Sequence, residues 1–137
     1  MRYRRVSCRY AELAGEISRV FATESWEFLR PRAVASPFFR PAADFVETAD
    51  SYLVIVELPG VDDDDMDIFV HPDALVVSGR RRCLDLEGAR WHAAEIRYGP
   101  FRFGVALPAD ADPESIAAST ERGILRISVG KRDRGTV

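Results

Sequence analysis

The chain has 137 residues, 47% of them apolar and 30% charged, with a formal net charge of −3. That length allows one domain with a modest core plus an arm, and the balance excludes a disordered chain. No apolar run approaches the roughly 20 residues needed to cross a bilayer, and a net acidic chain lacks the sustained basic face of a nucleic-acid binder.

The first segment, Met1-Arg2-Tyr3-Arg4-Arg5-Val6, is basic. Arg9, Glu12 and Glu16 interrupt the place where the apolar core of a secretion signal would lie, so the expected location is cytoplasmic. Cys8 and Cys83 lie far apart without C-x-x-C spacing and read as reduced thiols. Charge is uneven: residues 1–40 hold eight Arg and four Glu, +4, which leaves −7 for the rest.

Residues 1–41 read as an arm. Tyr10, Leu13, Ala14, Ile17, Val20 and Phe21 recur at spacings of three and four, which predicts one face of a helix. Trp26, Phe28 and Leu29 extend the apolar character, Pro31 and Pro37 end any helix, and Phe38-Phe39 follows. Rings this concentrated must be buried somewhere, on the chain's own domain, in an oligomer, or against other proteins.

From residue 42 the period changes from helical to alternating. Tyr52, Val54, Val56 and Leu58 fall on one side of a strand that exits through Glu57-Leu58-Pro59-Gly60-Val61. Asp62-Asp63-Asp64-Asp65 reads as a solvated turn, because it lacks the ligand spacing and the glycine of a calcium loop. Met66, Ile68 and Val70 share one face of the next strand; His71-Pro72-Asp73 turns the chain; Ala74 to Arg81 alternates again. A polar connection from Arg82 to Ala94 holds a possible short strand at Arg90-Trp91-His92. Glu95 to Leu107 predicts a strand ended by Pro108, Asp112-Pro113-Glu114 a loop, Ile116 to Thr120 a short strand, and Gly123 opens the last one. Many short strands with regular turn signals and no intervening helices imply an all-β antiparallel sandwich.

Chemistry is sparse. His92 and Glu95 have H-x-x-E spacing without a third ligand, so no metal site is expected. Neither a phosphate loop nor a G-x-S-x-G elbow occurs, and two histidines with two separated cysteines offer little for nucleophilic or general-base work. The expectation is a protein that is not an enzyme and uses no cofactor.

The ordered marks are Asp44 with Glu47-Thr48, Tyr52 to Val61, Leu75-x-Val77-x-Gly79-x-Arg81, Glu95-x-x-Tyr98-Gly99-x-Phe101, Leu107-Pro108, Ile116-x-Ala118, and Gly123-Ile124-Leu125 with Lys131. Together they resemble the α-crystallin domain of small heat-shock proteins of the bacterial and plant type, over residues 42–131, with residues 132–137 as a short tail. The resemblance implies an immunoglobulin-like β-sandwich and an ATP-independent holdase that binds partly unfolded proteins and keeps them from aggregating. It implies a homodimer in which Arg90, Trp91 and His92 pair with Asp44, Phe45 and Val46 of a second copy. It also implies a groove between Met66, Ile68 and Val70 on one strand and Ile116 and Ala118 on another. Phe21, Trp26, Phe28, Leu29, Phe38 and Phe39 are the candidate client-binding residues. Two features depart from the family pattern: Phe103 stands where many members carry Arg, and residues 132–137 hold no Ile-x-Ile or Ile-x-Val motif. Assemblies beyond the dimer are therefore expected to rest on the arm. The alternative is a p23-like sandwich that binds a folded partner as a monomer.

Overall fold

The computed structural model describes residues 1–6 and 38–133. They form eight strands: β1 (Arg2–Arg5), β2 (Ala43–Glu47), β3 (Ser51–Glu57), β4 (Met66–Val70), β5 (Ala74–Arg81), β6 (Gly99–Ala106), β7 (Ala111–Glu121) and β8 (Ile124–Lys131), with a 3-10 turn at Asp63–Asp65. One sheet runs β1-β4-β5-β6 and the other β2-β3-β8-β7. The sandwich expected from the strand pattern is therefore the observed fold.

The core is the alternation made solid. Tyr52, Val54, Val56 and Leu58 from β3 and its exit, with Leu125, Ile127 and Val129 from β8, face Met66, Ile68, Val70, Leu75, Val77, Phe101, Phe103 and Val105 of the other sheet. Each is buried, and each large apolar side chain removed from water contributes about 1.5–3 kcal/mol before entropy is counted.

The glycine of Leu75-x-Val77-x-Gly79 is required by close approach. A Cβ there would lie 2.1 Å from the Asp65 carbonyl oxygen and 2.7 Å from Cζ of Phe101. The two turn marks, distant in sequence, touch each other: Leu58 N–H donates to the Gly123 carbonyl at 2.7 Å. A Cβ on Gly123, whose φ is +81°, would meet Cα of Pro59 at 2.9 Å. The Pro-Gly exit of β3 and the β7–β8 hairpin are thus one packed corner.

Several expectations change. The antiparallel pattern has an exception, since β1 pairs in parallel with β4, Tyr3 opposite Ile68 and Arg5 opposite Val70. Asp112-Pro113-Glu114 lies inside β7 rather than in a loop, with a register shift between Ala111 and Ile116. β7 is the outer strand of its sheet, where a proline removes no ladder bond that a neighbour needs. Residues 95–98 are not part of β6. Arg90-Trp91-His92 is not a strand within one chain, because no neighbouring strand supplies it with a ladder. The helix expected over Tyr10 to Phe21 lies outside the described residues.

Candidate functional site

The places where this sandwich can meet another chain are its sheet edges, because an edge strand leaves a row of unpaired N–H and C=O groups. In the first sheet both edges are covered by residues that precede the sandwich in sequence. In the second sheet, β2 is outermost on one side and β7 on the other.

The β6 edge is covered by Phe39. Its N–H donates to the Pro100 carbonyl at 3.0 Å, and its carbonyl accepts from Arg102 N–H at 3.1 Å. The ring is 7% exposed and lies 5.6 Å from that of Phe101. Three guanidinium groups sit over rings here: Arg81 over Phe39 at 4.9 Å, Arg102 over Phe38 at 4.6 Å, and Arg40 over Phe103 at 5.3 Å. Arg81 also donates from Nε to the Pro59 carbonyl at 2.9 Å and from Nη1 to the Arg97 carbonyl at 2.8 Å. One side chain thereby joins the β3 exit, the end of the loop before β6, and Phe39. The placement of Phe39 corrects its expected position on a client-facing arm: it belongs to the core. Phe38 is half-buried, and Phe21, Trp26, Phe28 and Leu29 lie outside the described residues.

The β4 edge is covered by β1. Met66, Ile68 and Val70, expected to line a groove, are buried in the interior, with Ile116 and Ala118 of β7 half-buried against the same core. Across the space between β4 and β7 lies β1. Tyr3 Oη donates to the Ala118 carbonyl at 3.5 Å, and Arg5 Nη1 donates to the Pro113 carbonyl at 3.1 Å and lies 3.0 Å from Glu114 Oε1. On the opposite face Arg4 Nε lies 3.8 Å from Asp67 and its guanidinium stands 5.9 Å over the Phe69 ring. All four residues of β1 are exposed. Sequence reasoning missed this strand because four residues carrying three arginines show no apolar alternation; Tyr3 is the one trace of it.

The β2 edge is the third. Asp44 and Val46 are exposed, whereas Phe45 is half-buried and stacks on Tyr52 at 5.8 Å. Tyr52 Oη donates a short hydrogen bond to Asp110, and Lys131 Nζ binds Glu47 at 2.6 Å while lying 5.0 Å over the Tyr52 ring. The bond to Asp110, with burial and the nearby negative charges, pushes the Tyr52 hydroxyl up to about 12. Arg90, Trp91 and His92 are all exposed on the loop that spans residues 82–98. At the start of that loop Arg82 grips Asp65 through two bonds of 2.8 and 2.9 Å, which holds the Asp65 carboxyl below its ordinary range. Leu84, Leu86, Trp91 and Ile96 are large apolar side chains exposed on this one loop, Trp91 at 55%.

A sandwich with this strand order, a Pro-Gly exit packed on a Gly-Ile-Leu hairpin, and a long loop before β6 that exposes apolar side chains has known relatives. The Hsp20/alpha crystallin family profile matches residues 44–136. The chain belongs to that family. A small heat shock protein C2 of Rickettsia felis is 34% identical over 96 residues, 69% of this chain and 62% of that protein. A 17.9 kDa class II heat shock protein of Helianthus annuus is 38% identical over 91 residues, 65% of this chain and 57% of that one. The matches thus span about three fifths of the length of these relatives. Among solved structures, a small heat-shock protein from Xylella fastidiosa superposes with a TM-score of 0.65 at 31% identity, over 71% of this chain and 90% of that one. In this Hsp20 sandwich Phe103 is buried in the core under Arg40. Among the described residues no group of three or more His, Cys, Asp or Glu side chains gathers as a metal site, and no helix is long and apolar enough to cross a membrane.

Proposed function

We propose that this Hsp20-family chain is an ATP-independent holdase that works as a homodimer and covers exposed apolar surface on partly unfolded proteins. The observation that carries the reading is the loop of residues 82–98, which holds four large apolar side chains in solvent, in a chain whose β2 is an outermost strand of its sheet. Isolated exposed apolar residues are ordinary, but four on one loop mark an interaction surface. In the dimer, Arg90-Trp91-His92 of one copy adds to Asp44-Phe45-Val46 of the other, and Trp91 acts as the apolar anchor. Clients are bound by Phe21, Trp26, Phe28 and Leu29. Each Å² of apolar area removed from water gains about 25 cal/mol whatever the client sequence.

The test separates the two parts. Trp91→Ser is expected to give monomers in sedimentation at micromolar concentration; an unchanged dimer would remove the loop from the interface. Suppression of client aggregation is measured without ATP for the intact chain and for a variant with Phe21, Trp26, Phe28 and Leu29 all replaced by Ser. Loss of suppression with native thermal unfolding supports the arm as the client surface. Equal suppression by both places client binding elsewhere, and none by either removes the holdase reading. Phe39 is left intact in this variant because it is part of the core.

A further inference from the structure

We propose, on the strength of the homodimer reading, that Arg82 and Asp65 are positioning residues: their pairing aims the loop of residues 82–98, so that Arg90-Trp91-His92 meets the β2 edge of a second copy while neither of the two touches it. The loop has to be aimed from its base. Residues 82–97 are exposed throughout, so burial on their own sandwich does not fix where they point. A turn reverses the chain just before Arg90: Ala89 N–H donates to the Leu86 carbonyl at 3.2 Å, with Gly88 at a φ of +69°. A change of direction at residue 82 is therefore carried through that turn to Trp91.

Both ends of the base are tied by neighbouring arginines. Arg81 Nη1 donates to the Arg97 carbonyl at 2.8 Å and closes the returning end. Arg82 holds the outgoing end, with Nε and Nη2 on the two Asp65 carboxylate oxygens at 2.8 and 2.9 Å. Two parallel bonds fix a guanidinium plane in direction as well as in place. Asp65 is a firm anchor. Its N–H donates to the Asp62 carbonyl at 2.9 Å, its own carbonyl lies against the bare Gly79, and its side chain is only 14% exposed. The Arg82 side chain is 74% exposed, so the fold itself loses little burial without it. What the pair restrains is the loop. An untied loop gives up its freedom when a partner orders it, and the cost falls on association. Releasing the backbone of about one residue corresponds to about tenfold in Kd, or about 1.4 kcal/mol.

The dimer dissociation constant is measured by sedimentation for the full chain and for Arg82→Gln, Asp65→Asn and the two combined. Each single variant is expected to raise Kd about tenfold. The combined variant should raise it no further, because either change breaks the same pair. Stability is compared in the Trp91→Ser background, where dimerisation does not contribute to Tm. There Arg82→Gln should leave Tm within about 4 °C. A larger fall would show that the pair holds the fold rather than the loop, and would overturn the proposal. Additive rises in Kd, or a rise in only one of the single variants, would mean that a residue acts alone or meets the partner directly, which overturns positioning. If Trp91→Ser separates the dimer but none of the three variants moves Kd, the aiming role alone falls. If Trp91→Ser leaves the dimer whole, the loop is not the interface, and the dimer reading falls together with the aiming role.

Discussion

The two edges of the first sheet meet the same need in opposite ways. At β6 the cover is a buried aromatic residue, bonded through its backbone on both sides and capped by Arg81. At β4 the cover is a four-residue basic strand whose side chains are all exposed and whose attachments are backbone bonds and surface charges. The difference separates a cover held by apolar burial from one held by backbone bonds and exposed charges. Apolar burial resists salt and has no substitute in solvent, whereas exposed ion pairs compete with water and ions at every moment.

The largest effect should come from the buried cover. Phe39→Ala is expected to cost about 3–5 kcal/mol, as deletions of a buried aromatic ring do, and each kcal/mol lowers Tm by roughly 4–8 °C in a domain of this size. Urea unfolding measures it, and a loss under about 1 kcal/mol would mean that Phe39 is surface cover like β1. Gly79→Ala comes next. It leaves both edge covers intact but presses a methyl group on the Asp65 carbonyl and the Phe101 ring, an overpacking that costs about 1–3 kcal/mol. A neutral result would show that the turn at Asp65 yields freely, and with it the β4 end of the sheet.

Tyr52→Phe extends the comparison to the β2 edge. The raised hydroxyl means that the folded chain keeps a proton that the unfolded chain loses near pH 10. The contribution is therefore full below the ordinary tyrosine value and is lost as pH rises toward about 12. The native protein should lose stability over that alkaline window more steeply than the variant, measured by denaturant unfolding across pH. Parallel profiles would remove the Tyr52–Asp110 bond from the account of that edge. The smallest effect is expected for Arg4→Ala with Arg5→Ala, under about 1 kcal/mol and shrinking further in high salt. If this pair cost as much as Phe39→Ala, the contrast between the two covers would fail.

How much of this was legible beforehand follows from the range of the interactions. The faces of β3, β5, β6 and β8 were readable because alternation is local and one buried face demands it. Phe39 read as arm because Phe38-Phe39 follows two prolines and shares no period with the strands; only its bridge to Phe101 assigns it to the core. Pro113 read as a loop because a proline argues against a strand, and only the outer position of β7 permits it. Arg90-Trp91-His92 read as a strand, yet one chain offers it no partner, and its pairing belongs to the proposed dimer.

The amino-acid sequence by itself determined the sandwich, its inward faces, the Pro-Gly and Gly-Ile-Leu corner marks, and the family. Each of these is written in spacings of two or in residues whose backbone freedom is special. Tertiary structure alone decided which residues close the edges. It turned Phe39 into core, made Arg81 a three-way tie, and laid β1 between β4 and β7. The Phe39 and β1 contacts join residues more than 60 positions apart, and nothing in a local period records which distant edge a short polar strand will find.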